Sequence, residues 1–278
     1  MLDLTLGYSP CPNDTFIFDA LVHGRVAVEG VRFRECLEDV ETLNRLARAA
    51  ELDVTKISYG AIPYLLEDYV LLRSGGALGR GCGPLVVARE PLAMDELRGK
   101  RIAIPGRFTT ANLLLRLFDP ALAEGIETVY SDVMPAVERG DFDAGLIIHE
   151  SRFTYPEHGL VCLVDLGEWW ERETGLPIPL GGILARRSLG GDTVRAVEEG
   201  IRRSVDHAFA HPDDSLPYLR AHAQEMDESV MRRHVELYVN DFSRDLGDEG
   251  ERAIRALFER GRAAGVIPAA GEQPLFAP

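Results

Sequence analysis

The stretch DFDAGLIIHESRFTYPEHG, residues 141–159, decides how the chain is read. Its middle, 144–148, is a short apolar run with β-branched Ile147 and Ile148, the pattern of a buried strand, and it stops at His149, Glu150 and Ser151. In open α/β sheets ligands sit just past the carboxyl ends of strands, so His149 stands where a site would form. An imidazole near neutrality takes a proton and returns it, which makes His149 the leading candidate for a general base.

Outward from that strand, one device recurs. A strand over 2–6, with Leu2, Leu4 and Leu6 alternating, ends in Gly7-Tyr8-Ser9-Pro10-Cys11-Pro12-Asn13-Asp14, a rigid turn leading to a helix over 15–23. A strand over 31–37 is followed by Asp39, a helix cap. A strand over 53–58 ends at Ser58, placed to cap a helix through 66, and a strand over 70–73 enters the glycine-dense loop 75–83. A strand over 101–104 leads through Thr109-Thr110 into a helix carrying Leu113, Leu114 and Leu117. After a strand over 127–130, Asp132 caps the helix before the opening stretch. Strands alternating with helices of this length specify mostly parallel sheets flanked by helices, hence an α/β fold.

Beyond residue 159 come a strand over 161–164, a short helix with Trp169 and Trp170, and a stiff-then-permissive segment 175–182 that reads as a hinge return. From 192 onward the pattern is helical. Chain crossings near 89 and 184 divide the molecule into a discontinuous lobe (1–88 and 185–278) and a continuous one (89–184), the plan of a two-lobed clamshell with a two-strand hinge.

The chain has 278 residues and a net charge of −15, from 45 acidic against 30 basic side chains. That balance argues against nucleic acid as a partner, although a small anion responds to local dipoles rather than to the total. No apolar run approaches the roughly 18 residues of a membrane span, so no membrane insertion is expected. No secretory signal is read at the amino terminus, which implies a cytoplasmic protein. The four cysteines, Cys11, Cys36, Cys82 and Cys162, form no CxxC pair, so free thiols are expected and no metal site.

Candidate ligand contacts follow from the turns. Ser9, Asn13, Ser58 and the Thr109-Thr110 pair offer hydroxyls, an amide and free helical N–H groups at successive strand ends, able to hold a carboxylate, a phosphate or a sugar hydroxyl. Lys56, with Ile57 beside it, is a charge in a strand that otherwise reads as central, suited to a substrate anion or to an edge position. Arg80 and Arg152 read as solvated, Glu150 as a possible orienter of the imidazole, and Cys11 as a buried, inert thiol. Other chemistries fail on spacing: the chain has no GxGxxG in a strand–turn–helix setting, no GxxxxGK[ST], no HExxH and no GxSxG.

Taken together, Ser9-Pro-Cys-Pro-Asn-Asp-Thr-Phe16, Thr55-Lys-Ile-Ser58, Arg73-Ser-Gly-Gly-Ala-Leu-Gly79 and Gly145-Leu-Ile-Ile-His-Glu-Ser-Arg-Phe153 closely resemble the 1,4-dihydroxy-6-naphthoate synthases of the futalosine route to menaquinone. The resemblance runs from the first strand through the carboxy-terminal helices. It implies a type 2 periplasmic-binding-protein-like fold and a lyase converting cyclic dehypoxanthinylfutalosine to 1,4-dihydroxy-6-naphthoate with loss of a three-carbon sugar fragment. It assigns the family's proton acceptor to His149 and its substrate contacts to Lys56-Ile57-Ser58 and Thr109-Thr110. No cofactor is expected, since aromatisation supplies driving force, and the partner is a small-molecule carboxylate substrate. A small-anion solute-binding or ligand-sensing protein of the same fold is the alternative. The first would call for an export signal or a lipid-anchor cysteine, the second for a helix-turn-helix segment.

Overall fold

A computed structural model describes residues 1–122, 125–223 and 227–277. Its strands are β1 (Leu2–Tyr8), β2 (Val31–Leu37), β3 (Val54–Ser58), β4 (Tyr69–Leu71), β5 (Ala77–Gly79), β6 (Leu85–Ala88), β7 (Ile102–Ile104), β8 (Ile126–Glu127), β9 (Ala144–Ile147), β10 (Val161–Asp165) and β11 (Ile178–Arg186). They form two sheets. One runs β2-β1-β3-β11-β4 with β5 also on β11, and the other runs β10-β6-β9-β7-β8.

The α/β expectation holds, with one correction to strand direction. β1 is parallel to β2 and β3, and β7 to β8 and β9, as strand–helix–strand units require. The long return strand β11 is antiparallel to β3, β4 and β5, and β6 is antiparallel to β9 and β10, so both sheets are mixed rather than mostly parallel. These are the strands by which the chain changes sheets, and each enters from the opposite end.

Because β6 already pairs in the second sheet and β11 in the first, the passages between sheets fall at 80–84 and 175–177, earlier than the expected crossings near 89 and 184. The segment read as a stiff return is mostly strand. Pro179 sits opposite Leu78 on β5, where a register shift before Gly181 accommodates the residue that lacks an N–H.

The helices are α1 (Pro12–Val22), α2 (Val40–Arg48), α3 (Thr110–Phe118), α4 (Tyr130–Arg139), the single turn α5 (Ser151–Thr154), α6 (Leu166–Thr174), α7 (Gly191–Ala210), α8 (Leu216–His222), α9 (Glu228–Tyr238), the turn α10 (Asp241–Arg244) and α11 (Gly247–Ala263). Asp39 caps α2 through the N–H groups of Glu41 and Thr42, and Thr109 caps α3 through Asn112. α1 starts earlier than expected because Pro12 takes its first position, where a missing N–H costs nothing. Ser58 caps no long helix: only a 3-10 turn, Ile62–Tyr64, follows. Asp132 lies inside the first turn of α4 rather than before it, since Tyr130 opens that helix.

Candidate active site

β9 ends at Ile147, and two residues later His149 adopts φ 58°, the left-handed region that a non-glycine residue enters only when its surroundings compel it. That turn aims the half-buried imidazole at a cavity of about 90 Å³. The cavity draws its walls from both sheets. Ser9, Asn13 and Asp14 come from the end of β1 and the start of α1; Lys56, Ile57 and Ser58 come from β3; Thr109, Thr110 and Ala111 open α3. All the residues singled out in the sequence as catalytic or substrate-binding, namely His149, Lys56, Ile57, Ser58, Thr109, Thr110, Ser9 and Asn13, therefore lie around one space.

Several of these polar groups are held by the protein itself. The Thr109 hydroxyl donates to Gly106 O at 2.8 Å, and that of Thr110 to Leu180 O at 2.7 Å while accepting from Gly60 N at 3.1 Å. Ser58 N donates to Asn44 Oδ1 at 3.0 Å. The Ser9 hydroxyl donates to Asp14 Oδ2 at 2.7 Å, and Asn13 Nδ2 to Asp14 Oδ1 at 2.7 Å. Helix geometry leaves the first-turn N–H groups of Thr110 and Ala111 without intrahelical partners, and both residues line the same space.

Lys56 is not an edge residue. Its Nζ lies 2.5 Å from Asp14 Oδ1 with both side chains buried, so its charge is matched inside the protein. Arg152 is likewise engaged, donating to Gly83 O at 2.7 Å and to Asp165 Oδ2 at 2.6 Å, and Arg80 pairs with Glu249 at 3.0 Å. Arg152 is thus drawn out of solvent, whereas Arg80 makes its ion pair in an exposed position, in keeping with the solvated reading.

Burial lowers the pKa of His149 below the ordinary histidine value, with Lys56 acting in the same direction and the carboxylates of Glu150, Asp14 and Asp39 opposing. A neutral imidazole at neutral pH is the form a base needs. The Tyr130 ring packs edge-on against it at 5.1 Å, and the ring of His234 stacks at 6.1 Å and 14°.

His234, Asp14 and Tyr130 were not singled out in the sequence. His234 and Tyr238 share a face of α9 at helical spacing with Met231, and a histidine on that otherwise apolar face was the signal to read. Among the described residues, ligand atoms of Cys11, His149 and Glu150 lie within 4.8 Å of one another. Burial pushes the Cys11 thiol well up, so it stands as a thiol, not as a ready thiolate ligand.

Two mixed sheets with helices on their faces and a cavity between strand and helix ends define the class: a periplasmic-binding-protein-like α/β fold. A crystallographically solved protein from Archaeoglobus fulgidus matches it with TM-score 0.90 and 37% identity, over 95% of this chain and 98% of that one. The alkanesulfonate-binding protein of Xanthomonas axonopodis pv. citri shares the fold at TM-score 0.71 and 15% identity, over 97% and 95%. A family model described as menaquinone biosynthesis matches residues 4–263. Two curated relatives carry the name 1,4-dihydroxy-6-naphthoate synthase: that of Thermus thermophilus, 57% identical over 98% of each chain, and that of Streptomyces coelicolor, 49% identical over 99% of this chain and 98% of that one. The chain belongs to this family of menaquinone-biosynthesis enzymes. No helix among the described residues is long and apolar enough to cross a membrane.

Proposed function

We propose that this enzyme is a carbon–carbon lyase that converts cyclic dehypoxanthinylfutalosine to 1,4-dihydroxy-6-naphthoate, with His149 as its general base. The observation that carries this reading is the half-buried imidazole, held in a left-handed turn with its pKa lowered, at the wall of a cavity ringed by hydroxyls and helix-start amides. Such a reaction needs one proton removed and charge held as an enolate-like species while the bond breaks. His149 removes the proton, and the Thr110 and Ala111 N–H groups with Ser58 hold the substrate's carboxylate or carbonyl oxygens.

At about 90 Å³ the cavity is smaller than the roughly 300–1,000 Å³ of ligand pockets, so substrate entry requires its walls to part. The passages at 80–84 and 175–177 are the places for that bending, each unit moving with its own sheet.

The test is to supply the purified protein with cyclic dehypoxanthinylfutalosine and follow dihydroxynaphthoate by mass spectrometry, in the parent and in His149→Ala. Loss of about 10²–10⁴ in kcat is expected of the variant. Undiminished turnover in the variant overturns the base assignment. Binding without turnover in the parent returns the chain to the small-anion binding class.

A further inference from the structure

Behind His149 lies a pair of buried atoms with nothing to bond. His234 Nδ1 and Glu150 Oε2 face each other at 3.8 Å, and neither has a hydrogen-bond partner among the described residues. The His234 side chain is wholly buried and that of Glu150 nearly so, at 12% exposure. A buried acceptor left unpaired costs stability, more when it is charged, so two of them aimed at one another call for an explanation.

The neighbouring bonds fix which nitrogen of His234 carries hydrogen. Asn13 Nδ2 donates to the carboxylate of Asp14 at 2.7 Å, which turns Asn13 Oδ1 toward His234 Nε2 at 2.9 Å. A carbonyl oxygen only accepts, so Nε2 is the donor. In a neutral ring Nδ1 is then a bare lone pair, and it confronts a carboxylate oxygen. Two acceptors do not attract, and 3.8 Å is longer than a hydrogen bond; a proton on one of them gives the other a donor on which to close.

We infer that Glu150 and His234 share one proton across this gap, and that the pair is a positioning device for His149, setting the charge its imidazole meets when it becomes protonated. This rests on His149 being the base. Ligand atoms of Glu150 and His149 lie within 4.8 Å, and the two histidine rings stack, so the pair lies directly behind the imidazole. At rest His234 Nδ1 is without the shared proton, because burial first and the Lys56 charge with it disfavour an imidazolium there. When His149 takes a proton from substrate, the shared proton moves onto His234 Nδ1 and a carboxylate is bared between two cations. When His149 returns its proton, the shared one moves back. No proton enters or leaves, so the relay needs no further reactant.

The other groups facing this cluster are Cys11 and Asp14 from α1, Asp39 at the start of α2, Lys56 on β3, Tyr130 on α4 and Tyr238 on α9, with Arg152 beyond them already paired to Asp165. Asp14 and Lys56 neutralise each other. Glu150 is the first among the carboxylates that raise the basicity of His149.

The pH dependence of kcat/KM with cyclic dehypoxanthinylfutalosine separates the possibilities. In His234→Gln the side-chain amide still donates toward Asn13 but offers Glu150 no place for the proton. When His149 charges, the shared proton then has nowhere to go, no carboxylate is bared beside the imidazolium, and the acid limb moves down by about one pH unit. In Glu150→Gln no anion can form, so the acid limb moves down and the plateau falls about tenfold. A downward shift in both variants is the expected result; an unmoved limb in either, or an upward shift in His234→Gln, overturns the proposal. Nitrogen-15 NMR of histidine-labelled protein reads the pair without any activity. A His234 Nδ1 that is hydrogen-bonded in the parent supports it, and a bare lone-pair nitrogen overturns it. If His149→Ala keeps full turnover while that Nδ1 remains hydrogen-bonded, the base assignment fails and the proton-sharing pair stands.

Discussion

Lys56 Nζ lies 2.5 Å from Asp14 Oδ1, and neither side chain exceeds 7% exposure. The same carboxylate accepts from the Ser9 hydroxyl and the Asn13 amide, so this ion pair ties β3 to the turn that opens α1. Removing one buried charge strands the other, at about 3–5 kcal/mol. Lys56→Met is therefore expected to cost about that much in urea unfolding, and Lys56→Met combined with Asp14→Asn less than the single change. Equal costs would mean that the carboxylate is stabilised by its neutral donors alone.

Glu41 makes a second buried contact of consequence. Burial pushes its pKa from 4.5 up to about 7, against the opposing pull of Asn44 Nδ2 and Phe108 N, which both donate to it. Between those two values the folded chain holds a proton that the unfolded chain has lost. Stability thus falls as pH rises through that window, and the deficit persists above it. The interval corresponds to about 3 kcal/mol. Glu41→Gln is expected to unfold at nearly the same urea concentration at pH 5 and pH 8, whereas the parent is weaker at pH 8.

The sequence carried the strand–turn–helix units and the line of candidates around one space, because hydrophobic period and cap residues are local signals. β9 with His149 at its end, the Asp39 and Thr109 caps and the Ser9–Asp14 turn are all of that kind. What it withheld depends on distant pairing. The antiparallel entry of β11 is set by contacts with β3 more than a hundred residues earlier, and Pro179 gave no local reason to be placed in a strand. His234 reaches the site from α9 through a bond to Asn13 across 221 positions, so only the misfit of a histidine on an apolar helix face announced it. Lys56 was legible as an anomaly, but its partner Asp14 was hidden inside a turn that reads as a cap.

The lowered pKa of His149 has a kinetic consequence. A base must be neutral to act, so the acid limb of kcat/KM falls where the imidazole charges. Desolvation dominates over the attraction of Glu150 and Asp14, which places that limb below the ordinary 6.5. Turnover measured from pH 4.5 to 8 is expected to show the midpoint of its acid limb below pH 6.5. A midpoint at or above 6.5 would show that the carboxylates outweigh burial.

Gly60 tests how closely the two units must approach. It follows β3, donates its N–H to Thr110 Oγ1 at 3.1 Å, and has no room for a side chain: a Cβ there would lie 2.8 Å from both Phe108 O and Thr109 O. Those are backbone atoms that cannot rotate aside. Gly60→Ala is thus expected to push the Phe108–Thr110 backbone away from β3, carrying the α3 amides out of line with Ser58 and His149. The apolar clusters around β1, α1 and α7 and around β6, β9 and α4 do not include Gly60 or Phe108–Thr110, so the circular dichroism spectrum is expected to stay that of the parent. A displacement of a few tenths of an ångström up to about 1 Å in a positioning element costs as much as 10²-fold, so kcat/KM is expected to drop by about ten- to a hundredfold. Parent-like kinetics in this variant would mean that substrate is handled without the α3 amides reaching their place beside β3.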